Sequence, residues 1–204
     1  MARLGRLGPA LPNALTIARV FAIPPLVLLV LQSEDGSSLT AAGLFAVAAL
    51  SDALDGHIAR SRDLITTFGK VVDPIADKLL VGAALASLVA MGRLAAWIAV
   101  VIMGRELAVS GLRMVAGREG LVISASRFGK AKMLLQVVTI LALIAAPDVS
   151  ALPVQGLLYV TVAVTVASGV DYFAAFRRRR IGEPFPVRAV RPVAEASSRR
   201  RASR

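Results

Sequence analysis

Six apolar segments, each long enough to cross a lipid bilayer, follow one another along this chain of 204 residues. A bilayer core requires about 20 mostly apolar residues per helix. Short polar or glycine-containing breaks separate the segments, and 56% of the residues are hydrophobic. We therefore predict an all-α, polytopic membrane protein, a bundle of six transmembrane helices. The predicted spans are residues 14–32, 39–59, 71–91, 94–116, 128–147 and 152–176.

Positive charge is concentrated at the C-terminal end. The net charge is +11, and residues 177–204 hold ten arginines against two glutamates, which gives +8. We expect a membrane domain at residues 1–180 and a basic, disordered cytoplasmic tail at 181–204, because the tail composition cannot form a core. The tail directly follows an apolar span, so membrane lipids with anionic headgroups are its expected partners, and nucleic acid is not.

The cations between the spans predict the orientation of the chain. Six spans place both termini on one side. The cations on that side are Arg3, Arg6, Arg60, Arg62, Arg118, Arg127, Lys130 and Arg177 to Arg180. The opposite side receives Glu34, Asp35, Arg93 and Asp148. By the positive-inside rule, the first side is cytoplasmic. We expect a multi-pass protein of the cell (inner) membrane with both termini in the cytoplasm.

Four aspartates lie where the second and third spans approach the cytoplasm. Asp52 and Asp55 lie near the end of the second span, and Asp73 and Asp77 lie at the start of the third. Residues three or four apart share one helix face. The short connection makes the two helices antiparallel neighbours, so the four carboxylates can converge. Charges within membrane segments are costly and usually functional.

Converging carboxylates repel one another unless cations neutralise them. Their hard oxygen ligands favour Mg²⁺ or Mn²⁺. The chain has no cysteine, which excludes thiolate zinc sites and cysteine nucleophiles. A charge cluster neutralised by Arg60, Lys70 and Lys78 is the structural alternative. Gly56 and Ala59 share the face of Asp55, where small side chains suit either ligand approach or close helix packing.

These aspartates belong to a longer motif. The sequence Asp52-Ala-Leu-Asp55-Gly56-His-Ile-Ala59-Arg60 is followed, at fixed spacing, by Gly69, Asp73 and Asp77. This resembles the signature of the CDP-alcohol phosphatidyltransferase family at all eight specified positions. The segment from Pro12 to Arg19 resembles the N-terminal motif of the family, and the segments 104–113 and 129–132 resemble members that use glycerol 3-phosphate. The tail after about residue 180 lies outside the resemblance.

The resemblance implies a reaction and a set of roles. The family transfers a phosphatidyl group from CDP-diacylglycerol to an alcohol with two metal ions per site, and its members form homodimers. Asp52 and Asp73 would bridge both ions, Asp55 and Asp77 would each complete one site, and Asp77 would be the general base. The residues that the resemblance assigns to the CDP-lipid are Asn13, Thr16, Gly56, Ala59, Arg60 and Thr66.

Cations in the later spans indicate an anionic acceptor. Arg105 and Arg113 are eight residues apart, or about 80° in helical phase, so both can face one cavity. Arginine binds phosphate through two parallel donors, which favours glycerol 3-phosphate over a neutral alcohol. The other candidates are Arg19, Lys130 and Lys132. For the two lysines, ordinary positive-inside charge is an equal alternative. Glu106 either pairs with a cation or orients Arg105.

Several alternative functions remain at this point. A cardiolipin synthase or a phosphatidylinositol phosphate synthase would use the same chemistry with another acceptor. A cation transporter would distribute acidic residues through the membrane depth, whereas the four aspartates cluster on one side. A non-catalytic scaffold would not require Asp77.

Overall fold

The computed structural model of the protein describes residues 10–33, 37–62, 67–118 and 127–180, and side chains at 17–33, 37–51, 75–117 and 132–178. The described residues form six helices and no strand. The helices are α1 (Ala10–Leu31), α2 (Leu39–Arg62), α3 (Thr67–Ala90), α4 (Ala96–Arg118), α5 (Arg127–Ala145) and α6 (Leu152–Arg180). They confirm the predicted number of helices and differ from the predicted bounds by a few residues.

Helix contacts arrange the bundle as a closed ring. Within the described residues, α1 packs against α2, α2 against α5, α5 against α6, α6 against α4, α4 against α3, and α3 against α1. Helices α3 and α5 also touch across the ring. The main contacts of α2 and α3 in this part of the chain are thus with α1 and not with each other. The expectation that α2 and α3 are direct neighbours is therefore not confirmed.

One end of the bundle, which we call the apolar end, contains the connections 32–38, 91–95 and 146–151. Its centre is filled by buried side chains from all six helices, among them Leu26, Phe45, Leu88, Ile102 and Ile144. The opposite end, which we call the polar end, contains the last residues of α2, α4 and α6 and the first residues of α1, α3 and α5. Both groups of predicted site residues, acidic and cationic, belong to helix segments toward the polar end.

Hydrogen bonds close the turns at the apolar end. Gly92 adopts a positive φ of 68°, and the backbone N–H of Arg93 donates to the Leu88 carbonyl at 2.9 Å, which ends α3. The Arg93 side chain is buried and donates from Nε to the Leu143 carbonyl at 3.1 Å and from Nη2 to the Ala146 carbonyl. A cation thereby stabilises the C-terminal end of α5.

The described helices differ in how strongly their length and composition support a membrane crossing. Among the described helices, the segment Leu152–Arg178 alone is long and apolar enough to cross a bilayer. Shorter apolar helical segments are Ile17–Leu31, Leu39–Ser51 and Lys132–Ala145. The prediction of an all-helical fold is confirmed, and the prediction of six crossings stays a prediction.

Candidate functional site

Helices α2 and α3 carry the four aspartates near the ends that segment 63–66 connects. Asp55 lies seven residues before the last residue of α2, and Asp73 lies six residues after the first residue of α3. Asp52 and Asp77 each lie ten residues from the same ends. At about 1.5 Å per residue, the depths are roughly 10 Å for the first pair and roughly 15 Å for the second. The carboxylate-bearing positions therefore match in depth.

This arrangement fits divalent metal ions by the chemistry of its ligands. The side chains of Asp52, Asp55 and Asp73 lie outside the described residues, whereas Asp77 is half-buried. Within the part of the chain whose side chains are described, no three His, Cys, Asp or Glu side chains come together. The argument for the site therefore rests on helix register. Carboxylates at matched depths, near one end of the bundle, suit hard cations such as Mg²⁺.

Two cations share one carboxylate between α4 and α5. Lys132 is 3% exposed, and its Nζ pairs with Oε1 of Glu106. The Nη1 atom of Arg105 lies 3.8 Å from Oε2 of the same glutamate. Glu106 thus pairs with a cation, which is one of the two roles that the sequence left open, and it also lies beside Arg105. This group of three keeps a net positive charge, and a partly buried excess charge favours binding of an anion.

Lys132 connects this cationic group to the acidic helices. It interacts electrostatically with Asp77 and Lys78 of α3, and α3 contacts α5. Asp77, predicted as the base, therefore lies within electrostatic range of Lys132, predicted to bind the acceptor.

Arg113 lies two turns after Arg105 on α4. Its side chain is exposed, and its guanidinium carbon lies 5.8 Å from the centre of the Tyr172 ring on α6. This distance is within the range of a cation–π contact. Arg113 also interacts electrostatically with Arg105. The two arginines therefore occupy one region, as their spacing predicted.

The remaining predicted residues divide into two groups. Arg19 of α1 is 3% exposed, so its guanidinium is held inside the bundle. The others have side chains outside the described residues, and their roles stay predictions. They are Asn13, Thr16, Gly56, Ala59, Arg60, Thr66 and Lys130.

Sequence analysis missed the part that α6 plays. The Arg105 Nη2 atom donates a 2.9 Å hydrogen bond to Ser168 Oγ. Ser168 belongs to a stripe of polar residues, three or four apart, that are all buried along α6. The stripe consists of Thr161, Thr165, Ser168 and Tyr172. Its helical period in an otherwise apolar segment was the signal that could have identified it.

Comparison with known proteins adds a family to this geometry. Residues 9–167 match the family model described as CDP-alcohol phosphatidyltransferase. The match covers most of the chain and contains the whole aspartate motif. The protein therefore belongs to the CDP-alcohol phosphatidyltransferase family, as the resemblance of its motifs predicted.

Individual relatives are similar over most of their length. The CDP-diacylglycerol–glycerol-3-phosphate 3-phosphatidyltransferase of Bacillus subtilis (strain 168) is 39% identical over 180 residues, 80% of this chain and 93% of the relative. The protein of the same description from Rickettsia felis is 35% identical, with 85% and 98% covered. A probable phosphatidylglycerophosphate synthase of Mycobacterium tuberculosis (strain H37Rv) is 39% identical, with 80% of each chain covered.

Proposed function

We propose that this protein transfers the phosphatidyl group of CDP-diacylglycerol to glycerol 3-phosphate, giving phosphatidylglycerophosphate and CMP in phospholipid synthesis. The family match and the described activities of the relatives support this reaction. The observation that carries it is the Arg105–Glu106–Lys132 group with Asp77 nearby. A site with excess positive charge beside a carboxylate suits an acceptor that carries both a phosphate and a hydroxyl.

The reaction forms one bond and breaks one. A hydroxyl oxygen of glycerol 3-phosphate attacks the phosphorus nearest the diacylglycerol, and the bond from that phosphorus to CMP breaks. CMP leaves with the electron pair of the broken bond. Asp77 accepts the proton of the attacking hydroxyl. Arg105 and Lys132 bind the acceptor phosphate, so its hydroxyl stays oriented toward the reacting phosphorus.

Divalent metal ions belong to this proposal. Asp52 and Asp73 would be shared by two Mg²⁺ or Mn²⁺ ions, with Asp55 and Asp77 each completing one site. Bound ions would supply charge neutralisation of the diphosphate and stabilisation of the leaving CMP. The matched depths of the four positions along α2 and α3 support this assignment.

The CDP-lipid would lie along α1 and α2. Gly56 and Ala59 would border the cytidine, and Arg60 and Thr66 would contact the diphosphate. Asn13 and Thr16 would lie nearby. Arg19, Arg113 and Lys130 would add positive charge around the acceptor.

The setting of the reaction is a membrane. We propose that all six helices cross the inner membrane, that both termini and the active site are cytoplasmic, and that the protein is a homodimer. The apolar segment Leu152–Arg178 supports membrane insertion. At this boundary, the acyl chains stay in the bilayer while the nucleotide stays in water. The basic tail 181–204 would contact anionic lipids.

The proposed reaction is tested by CMP release from CDP-diacylglycerol, using purified protein in detergent with Mg²⁺. Glycerol 3-phosphate, inositol phosphate and phosphatidylglycerol are supplied separately. We expect release with glycerol 3-phosphate alone, and none from Asp77→Asn. Release with another acceptor would contradict the assigned acceptor, and release by none of them would contradict the enzyme assignment.

A further inference from the structure

Two arginines of α4 contact the same stretch of α6. Arg105 donates to Ser168 Oγ at 2.9 Å, and Arg113 lies 5.8 Å from the Tyr172 ring. Ser168 and Tyr172 are one helical turn apart, with Gly169 beside Ser168. We call Ser168, Gly169 and Tyr172 the α6 platform.

We propose that the α6 platform consists of positioning residues that hold Arg105 and Arg113 in the orientation that binds the phosphate of the acceptor. This inference rests on the proposed function, because that function gives the two arginines their ligand. It adds a fourth helix to a site whose predicted acceptor-binding residues lie on α1, α4 and α5. None of the platform residues would touch the substrate.

Ser168 fixes the direction of its hydrogen bond to Arg105. A serine hydroxyl has one proton, and that of Ser168 is donated to the Thr165 carbonyl oxygen at 2.9 Å. The Ser168 oxygen therefore acts as an acceptor toward Arg105. Ser168 is 6% exposed, so its side chain has little freedom to turn away. A neutral acceptor orients the guanidinium without cancelling the charge that a phosphate would bind.

Gly169 gives the stem of Arg105 its space. A Cβ atom at position 169 would lie 3.1 Å from Arg105 Cγ and 3.9 Å from its Nε. Carbon atoms in favourable contact are about 3.5–4.0 Å apart, so a side chain here would displace Arg105. The Nε atom is buried and has no hydrogen-bond partner among the described residues. Arg105 thus lies against the α6 backbone, with its Nε atom facing the helix.

Tyr172 supports Arg113 through its ring. Tyr172 is 9% exposed, whereas Arg113 is exposed, so the ring is a buried surface against which the exposed guanidinium packs. Within the described part of the chain, the Tyr172 hydroxyl has no hydrogen-bond partner. The aromatic face is therefore the part of Tyr172 that orients Arg113.

Substitutions in the α6 platform should affect the KM for glycerol 3-phosphate more than the KM for CDP-diacylglycerol. The residues assigned to the CDP-lipid lie on α1, on α2 and at Thr66, whereas the platform contacts the arginines of α4. Loss of a platform contact should therefore raise the KM for glycerol 3-phosphate and leave the KM for CDP-diacylglycerol within twofold. A general defect in helix packing would change both.

Steady-state kinetics tests this difference between the two KM values. The full chain is assayed in detergent with Mg²⁺, and each substrate is varied in turn. Ser168→Ala should lower kcat/KM for glycerol 3-phosphate about tenfold, because a hydrogen bond to a charged group is lost. Gly169→Ala should lower it by roughly threefold to tenfold through displacement of Arg105. Gly156→Ala is the matched control, since it adds the same methyl group on the same helix with nothing within 4 Å.

Tyr172 offers a conservative rescue. Tyr172→Leu should lower kcat/KM for glycerol 3-phosphate about threefold, as expected for loss of an exposed cation–π contact. Tyr172→Phe keeps the ring and should stay within twofold of the unsubstituted protein. If kcat/KM for glycerol 3-phosphate falls equally in Tyr172→Phe and Tyr172→Leu, the ring is not what orients Arg113.

A double-mutant cycle identifies the residue through which Ser168 acts. In an Arg105→Ala background, Ser168→Ala should cause no further loss of kcat/KM, because its partner is already absent. A fully additive loss, or variants that behave like Gly156→Ala, would overturn the platform. If Gly169→Ala does not fold, this cycle decides alone. Absence of glycerol 3-phosphate-dependent CMP release by the unsubstituted protein would instead overturn the proposed function.

Discussion

The apolar end of the bundle is filled by side chains such as Leu26, Phe45 and Leu88, whereas the polar end buries Lys132, Gln136 and Ser168. The described ion pairs of Arg105, Glu106 and Lys132 lie toward the polar end. At the apolar end, the buried Arg93 donates to backbone carbonyls at the end of α5. The same cation chemistry thus stabilises a helix terminus at one end and leaves positive charge for a ligand at the other.

The two ends of the same helices therefore have different roles: the apolar end stabilises the fold, and the polar end holds the proposed ligand-binding site. Apolar packing needs no partner outside the chain. Buried charges with an excess of one sign gain stability when an opposite charge binds. Substitutions at the apolar end should therefore change the free energy of unfolding, and substitutions at the polar end should change substrate binding and turnover.

The largest expected effect is on turnover when divalent metal is removed. Chelation should lower CMP release by at least about a thousandfold, because metal charge stabilises the leaving group by several kcal/mol. The thermal midpoint in detergent should fall only slightly, since the apolar end does not contain the proposed metal site. Restoration by Mg²⁺ or Mn²⁺ is the control. Full turnover in the presence of excess chelator would rule out the metal assignment.

A substitution in the apolar core should have the opposite result: it should lower stability and leave substrate binding unchanged. Leu88→Ala removes a side chain that is 0% exposed and should lower the free energy of unfolding by about 2–5 kcal/mol. The KM for glycerol 3-phosphate should be unchanged in the folded fraction. Leu152→Ala, at a position that is 86% exposed, is the control and should unfold like the parent. A large rise in acceptor KM with Leu88→Ala would break the separation of the two ends.

Glu106 tests the shared carboxylate at the polar end. Glu106→Gln should lower kcat/KM for glycerol 3-phosphate by roughly tenfold to a hundredfold and also destabilise the fold, because Lys132 loses its charged partner. Adding Lys132→Met should recover the thermal midpoint without recovering kcat/KM. Recovery of both in the double variant would show that Lys132 serves only the structure.

The smallest expected effect is on the free energy of unfolding, when a hydrogen bond between α5 and α6 is removed. The Thr139 and Thr161 hydroxyl oxygens are 2.6 Å apart, and Thr161→Val keeps the side-chain shape while it removes this hydrogen bond. Hydrogen bonds between membrane helices contribute about 0.6 kcal/mol on average. The unfolding free energy should fall by about that amount, with kcat/KM unaltered. A loss of several kcal/mol would mean that this pair organises the polar end as well.

The helices could be predicted well from the sequence because residues close to each helix end determine where the helix begins and ends. The polar break Gly92-Arg93 ends α3 through a left-handed glycine, and the segment predicted at 152–176 corresponds to Leu152–Arg180. The aspartates and Arg105 could be selected as candidate site residues because charged side chains in apolar segments are rare and usually functional, and their roles stay predictions. Lys130 and Lys132 are two residues apart, about 200° in helical phase, so only one of them can point inward, and Lys132 is buried.

The α6 platform could not be predicted in the same way. Its contact with Arg105 joins residues 63 positions apart and depends on the packing of α6 against α4. No local pattern reveals which helices of a six-helix ring are neighbours.

The most direct test of the account is transfer of radiolabelled glycerol 3-phosphate into lipid by the purified protein, measured together with CMP release. We predict one labelled lipid per CMP with the unsubstituted chain. We also predict loss of both signals with Asp77→Asn, and a higher acceptor KM with Arg105→Ala. CMP release without label in the lipid, or an unchanged acceptor KM with Arg105→Ala, would contradict the central claim that the polar end binds glycerol 3-phosphate for phosphatidyl transfer.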